Sequence, residues 1–286
     1  MLEMLINPKK AQKRSWEMFF IGLLYGSLSI FLVNWIFAQD PVLSKYSGIL
    51  IVTFCVMFST PFMYYMIKLE EEKNIRYEGM LRILKEHSKA IFAFLWLFVG
   101  FIVAFSFWYI VLSGGNLNFK VQIETFCQIN KPNNFNDCVA QYGIKSPIRT
   151  TGFASAKDRI VSIFSNNVYV LIFTLVFSLI FGAGAIFVLA WNASVIAAAI
   201  GIFTKSKITD LPIGVTRYMI HGLPEIAAYF IGALAGGIVS VAIIKHDIHN
   251  EKFWGILQDA LNLIIIAVVI LFISALIEVF ITPALF

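Results

Sequence analysis

The stretch Tyr218–Ile244, YMIHGLPEIAAYFIGALAGGIVSVAII, decides the class of fold. A helix needs about 20 consecutive apolar residues to cross a hydrocarbon core of about 30 Å, and this stretch is long enough. His221, Pro224 and Glu225 nevertheless sit in its first turns. An ionisable side chain at the bilayer centre costs roughly 2.5–3.5 kcal/mol on insertion scales. Such groups persist where they pair, line a cavity or lie close enough to the surface to reach water.

Five further runs satisfy the same length criterion: 18–38, 48–68, 91–112, 167–191 and 258–281. Taken with 219–244 they make six spans. A shorter run, Ala193–Phe203 (ASVIAAAIGIF), is left over. Its length and its Ala and Gly content suit a re-entrant half-helix packed inside protein. The expected fold is therefore all-α: a polytopic transmembrane helical bundle of six spans plus one re-entrant half-helix, forming a single membrane domain over residues 1–286. In the competing arrangement 193–203 crosses the bilayer and everything after it is inverted.

Composition agrees with a membrane chain. Of 286 residues, 59% are hydrophobic and only 14% charged, against roughly one-quarter charged in a soluble domain. Mean hydropathy is +0.81. The net charge of +5 is spread between apolar spans and forms no nucleic-acid pattern. Its counter-charge is the lipid bilayer, through phospholipid head groups. The first run, Met18–Ala38, is too long for a signal-peptide core and reads as a retained anchor.

Charge asymmetry sets the orientation. The arm 1–17 carries Lys9, Lys10, Lys13 and Arg14 and is expected in the cytoplasm. The segment 69–90, also basic, falls on the same side and reads as a cytoplasmic helical segment in which Ile75, Met80, Leu81 and Leu84 share a face. It either extends the second span, lies on the membrane surface or grips a partner. With a re-entrant 193–203, the loop bearing Lys205, Lys207 and Arg217 is cytoplasmic, 245–257 is external, and both termini of this multi-pass cell-membrane protein are cytoplasmic.

The polar segment 113–158 is expected outside, where oxidising surroundings and short separation favour a disulfide between Cys127 and Cys138. Two free thiols are the alternative. Cys55 lies mid-span as a core residue.

His221 and Glu225 are four apart and share a helix face. In the re-entrant arrangement both lie near the cytoplasmic mouth, with Glu278 at the end of the last span and Asn192 at the end of the fourth. These four are the binding or pathway candidates, reading as a polar cavity, an ion pathway or a switchable joint. The plainer reading is a carboxylate in the first turn of a helix opened by Pro224, where the helix dipole favours it. Gly22 and Gly26, and Gly232 and Gly236, form two small-xxx-small pairs that let helices approach closely, within the chain or across a dimer seam. Gly182 and Gly184 read similarly.

Enzyme motifs are incomplete. HGLPE lacks the second histidine of HExxH, and His246 and His249 lack the rest of a zinc set. Glu71, Glu72 and Arg76 match an EExxxR string like that of the intramembrane prenyl proteases, without the accompanying histidine element. No phosphate-binding glycine loop and no GxSxG elbow occur. The expectation is no enzyme, no cofactor and no metal.

Four segments occur in a fixed order: INPKKAQKRSWEMFFIGLLYGSLSIFLVNWIF, NNVYVLIFTLVFSLIFGAGAIFVLAWN, HGLPEIAAYFIGALAG and ALIEVFITP. Together they resemble the stage II sporulation protein M family of integral membrane proteins, over nearly the whole chain. The opening arm and the 70–101 region are most similar to archaeal members. One departure is Asn192-Ala193, where many members have Asn-Gly. The resemblance implies a membrane-embedded scaffold. In bacterial members that subunit works in engulfment beside peptidoglycan-degrading partners, a role tied to a wall that an archaeal cell lacks.

Two functions follow as expectations. The first is a non-enzymatic integral membrane scaffold or assembly protein that acts in membrane remodelling, with a second copy (a homodimer) or other membrane proteins as partners. The alternative is an ion or small-solute channel or transporter with a polar cluster at the cytoplasmic side.

Overall fold

The computed structural model describes residues 8–72, 80–112, 114–130, 135–141, 156–181, 185–204, 207–245 and 251–285. Among them every regular element is a helix. Those elements are α1 (Pro8–Lys13), α2 (Met18–Phe37), α3 (Ser47–Glu72), α4 (Met80–Val111), α5 (Gly115–Asn118) and α6 (Lys120–Asn130). There follow α7 (Phe135–Gln141), α8 (Ala156–Phe181), α9 (Ala185–Phe203), α10 (Leu211–Lys245), α11 (Glu251–Leu276) and α12 (Thr282–Leu285). A π-turn, Ile277–Ile281, joins the last two.

Seven of the described helices are long and apolar enough to cross a membrane: α2, α3, α4, α8, α9, α10 and α11. The all-α polytopic class stands, and the described helices offer seven candidate spans where the sequence suggested six and a half-helix. Residues 193–203 are the second half of α9, a helix of 19 residues that begins at Ala185. The apolar run 167–191 is divided between α8 and α9. Hydropathy registers no boundary inside a continuous apolar run, whereas the helix ends where the backbone does. The sequence Gly182-Ala183-Gly184 carries two of the poorest helix formers after proline at that point.

Contacts between helix ends define two poles. At the first, Glu70 near the end of α3 meets His87 near the start of α4, and Gln12 of α1 reaches Glu70. At the second, the Gln122 amide of α6 donates to the Gly48 carbonyl at the start of α3, 2.9 Å away. The N-terminal pole and the disulfide pole are convenient names for them. Helix α10 starts at the disulfide pole, where Gly214 packs on Ile200 and Thr204, and ends at the other, where Gly237 packs on Ile67. Helix α8 runs alongside it in the same direction: Asn167 faces Glu225, Leu171 faces Gly232 and Leu175 faces Gly236. Helix α9 returns, with Gly201 against Tyr109 at the disulfide pole.

The α9–α10 link lies at the disulfide pole, where the expectation put it beside the N-terminal arm. Helix α1 packs against α3 at the N-terminal pole, and Thr282 of α12 packs against His221 in the first half of α10. A seventh helix, in place of a half-helix that turns back, reverses the course of everything after it.

The core explains the close crossings. Gly22 of α2 lies against Gly100 and the Leu97 carbonyl of α4, and Gly26 lies against Ala104 and Phe105. Gly232 and Gly236 take up Leu171, Leu175 and Ser178 of α8 in the same way. Both small-residue pairs are thus spent inside the bundle. Phe94 of α4 stacks on Phe230 of α10 with ring centroids 5.1 Å apart, joining the two halves of the molecule.

The 69–90 segment is described only in part. Its described parts are the end of α3 and the start of α4. The side chains of Ile75, Met80, Leu81 and Leu84 lie outside the described residues, as do Glu71, Glu72, Arg76, Lys205, His246, His249, Gly182, Gly184 and residues 131–134 and 142–155 of the expected outer loop. Within that loop α6 and α7 are joined by the Cys127–Cys138 disulfide, with Cα atoms 5.8 Å apart.

Candidate functional site

Glu225 lies on α10 midway between Gly214 and Gly237, about 17 Å of helix from either contact. Those two contacts are separated by about the thickness of a hydrocarbon core. The carboxylate therefore sits midway between the two poles of the bundle.

Three helices supply its surroundings. From α8, the Asn167 amide nitrogen donates to Glu225 Oε1 at 2.8 Å. From α11, the Ser274 hydroxyl lies 3.2 Å from the same oxygen and 2.7 Å from the His221 carbonyl. Within α10, the Tyr229 hydroxyl donates to Asn167 Oδ1 at 2.9 Å. Asn167, Ser274 and Tyr229 are all buried. One turn towards the disulfide pole, His221 Nδ1 lies 3.1 Å from the Thr282 hydroxyl. Glu278, in the π-turn, is within electrostatic reach of Glu225, and Arg159 at the start of α8 is within reach of Glu278. Arg217 stands one turn before His221 on α10 and acts on it electrostatically. The network thus runs from mid-depth to the disulfide pole.

Local sequence explains the geometry. Pro224 lacks an N–H, so the Ile220 carbonyl one turn earlier loses its usual donor, and backbone polarity is concentrated beside Glu225. The π-turn at Ile277–Ile281 adds one residue to a helical turn just before Pro283, shifting the register of Glu278 and Thr282 relative to α11. Insertions of this kind recur at functional sites.

Of the four sequence candidates, His221, Glu225 and Glu278 come together. Asn192 does not join them. Its amide donates to the Val188 carbonyl of its own helix at 2.7 Å, and it faces a separate cavity between α8 and α9. Asn167, Tyr229, Ser274 and Thr282 were missed. Their only signal was a polar atom inside an apolar run, which marks dozens of positions in a membrane chain.

A second buried polar centre, at the N-terminal pole, was also missed. His87 Nδ1 lies 2.6 Å from Glu70 Oε2, with both side chains buried. Gln12 of α1 donates to the other carboxylate oxygen and touches the Met66 sulfur. Asp259 of α11 is within electrostatic reach of His87. Nothing in the spacing of Gln12, Glu70, His87 and Asp259 pairs them along the chain. Among the described residues, no group of three or more His, Cys, Asp or Glu gathers closely enough to hold a metal ion.

Comparison with known proteins places this architecture. The family model described as SpoIIM, stage II sporulation protein M, matches residues 52–283. No curated protein and no solved structure matches the chain. The match takes in α8, α10, α11 and the whole network around Glu225, and it covers far more than half of the sequence. This multi-helix protein accordingly belongs to the stage II sporulation protein M family.

Proposed function

We propose that the protein is a non-enzymatic integral membrane scaffold, oriented with the N-terminal pole in the cytoplasm and the disulfide pole outside. The observation that carries this reading is the mounting of α6 and α7. These two helices are not among the candidate spans, are tied by a disulfide, and are anchored on the bundle by a buried side chain. Gln122 of α6 donates to Gly48 of α3 and lies 3.2 Å from the Ser194 hydroxyl of α9. A rigidly held helix pair is what a recruiting surface needs, because little ordering entropy remains to be lost on binding. The orientation rests on the basic N-terminal arm and on the oxidising side that a disulfide requires. The partners are the lipid bilayer and a second copy or another membrane protein; no nucleic acid is implicated.

In native membranes, a photo-crosslinking residue at the exposed position Asp137 on α7 is expected to give a discrete protein adduct. The adduct should disappear when Cys127 and Cys138 are replaced by serine. No adduct from any exposed position of α6 or α7, in membranes where the protein is abundant, would remove the scaffold reading.

A channel or transporter is the second reading, favoured by a mid-depth carboxylate with Glu278 and His221 between it and one pole. Intramembrane ionisable residues commonly mark ion or proton paths. Proton flux in proteoliposomes that is abolished by Glu225→Gln would replace the scaffold with this reading. Flux no greater than in empty liposomes would exclude it.

A further inference from the structure

The cavity that Asn192 faces belongs to neither polar centre. It holds about 400 Å³ between α8 and α9 and reaches Thr125 of α6. That volume is at the lower end of small-molecule sites, which run from about 300 to 1,000 Å³. Its side walls are apolar, with Phe173, Phe177 and Phe187 prominent. Phe173 is 59% exposed, so the cavity opens towards the surroundings of the spans and not into the protein core.

The polarity of the lining is ordered along the membrane normal. Helices α8 and α9 run in opposite directions. Asn166 stands nearer the disulfide pole than Phe173 and Phe177 on α8, and Asn192 stands nearer that pole than Phe187 on α9. Thr125 lies at that same end, on α6. The Thr125 hydroxyl donates to the Val121 carbonyl and the Asn192 amide to Val188, which leaves the hydroxyl oxygen and the Asn192 carbonyl free to accept. Asn166 is exposed and adds both a donor and an acceptor. Among the described residues, the lining carries no ionisable side chain.

We infer that this cavity is a binding site for one membrane amphiphile, its single hydrocarbon chain lying against Phe173, Phe177 and Phe187 and its uncharged hydroxyl group hydrogen-bonded by Asn166, Asn192 and Thr125. The chain class follows from an opening at the depth of the spans, where the only solvent is hydrocarbon. The head-group class follows from the lining: amides and a hydroxyl match a hydroxyl, while a phosphate or ammonium would meet no counter-charge there. A long-chain alcohol is the simplest molecule with both parts. This site is independent of the scaffold reading and of the Glu225 network.

The test uses the purified full-length protein in nanodiscs of phosphatidylcholine and a sixteen-carbon alcohol bearing a diazirine near its chain end. Mass spectrometry of the photoadducts is expected to place labelling on α8 and α9 around Phe177 and Phe187. Unlabelled hexadecanol should compete and hexadecane should not. Asn192→Leu should weaken the alcohol by about three- to tenfold, as for one lost hydrogen bond. Val188→Trp should fill the cavity and abolish the labelling. Retention of the Cys127–Cys138 disulfide and an unchanged elution profile show that each variant is folded. Labelling spread evenly over all lipid-facing helices and indifferent to both variants would overturn the proposal, as would equal competition by hexadecane.

Discussion

Glu225 is held by the Asn167 amide and the Ser274 hydroxyl, two neutral donors from two other helices. The buried polar groups left behind carry a desolvation cost if this side chain is removed. Glu225→Leu is expected to destabilise the folded protein by about 1–3 kcal/mol. Glu225→Gln keeps an acceptor oxygen for Asn167 and should cost less than about 1 kcal/mol. Thermal unfolding in mild detergent separates the two, and equal losses would mean that the network contributes little. Asp40 offers a test outside the spans. Its Oδ1 accepts the N–H groups of Leu43 and Val42, each at 2.8 Å, and these bonds hold the carboxyl below the ordinary aspartate range. A carboxyl lowered on folding stabilises the fold above its unfolded pKa of about 3.9, and that contribution is lost as pH falls through the lowered value. Carbon-13 titration of Asp40 should give a midpoint below that of a model aspartate. The carboxylate's importance was legible from its apolar surroundings. Its partners were not, because Asn167 and Ser274 are remote from it in sequence.

Helix pairs show where small residues matter. Gly100 and Gly22 meet face to face where α2 crosses α4, and a Cβ on Gly100 would stand 2.9 Å from the Gly22 Cα and close on the Phe19 carbonyl. Neither obstacle is a flexible side chain, so the helices themselves must separate. Gly100→Ala is expected to cost about 1–3 kcal/mol, the usual range for overpacking, measured as a lowered melting temperature. Gly255, with nothing close to its missing side chain, is the control: alanine there should be neutral or slightly stabilising. At the disulfide pole, a Cβ on Gly48 would collide with the Gln122 amide and the Asn118 carbonyl. Gly48→Ala should therefore loosen α6 from the bundle and speed amide exchange in residues 120–130, leaving α2 and α4 unaffected. The Cys127–Cys138 bridge closes a short loop, and its removal should cost about 2–3 kcal/mol, followed by thermal unfolding. The sequence marked the Gly22–Gly26 and Gly232–Gly236 pairs as close-packing faces. It did not mark Gly48 or Gly100, which stand singly and derive their roles from the helix opposite.

Across the whole molecule, seven helices carry the chain from one pole to the other. Single cysteines introduced at Lys9, Lys207 and Leu285, in a background with Cys55 replaced by alanine, test this directly. Position 9 is expected to react with a membrane-impermeant thiol reagent from one side, and positions 207 and 285 from the other. Labelling of 9 and 207 from the same side would restore the re-entrant half-helix. Composition and span length were enough to determine an all-helical membrane protein, because each helix satisfies its own backbone polar groups without reference to its neighbours. Local chemistry likewise favoured the disulfide, since the two cysteines stand only 11 positions apart. The number of helices running between the poles, the position of Glu225 midway between them and the separation of Asn192 from the other candidates were decided only by tertiary packing. In a chain that is apolar almost throughout, hydropathy does not record where one helix stops, and the run from Asn167 to Phe203 reads as a span and a remnant until α8 and α9 are seen against α10 and α4. Partners such as Asn167 with Glu225, or Glu70 with His87, then meet because helix directions alternate, a property of the assembled bundle and not of any segment in it.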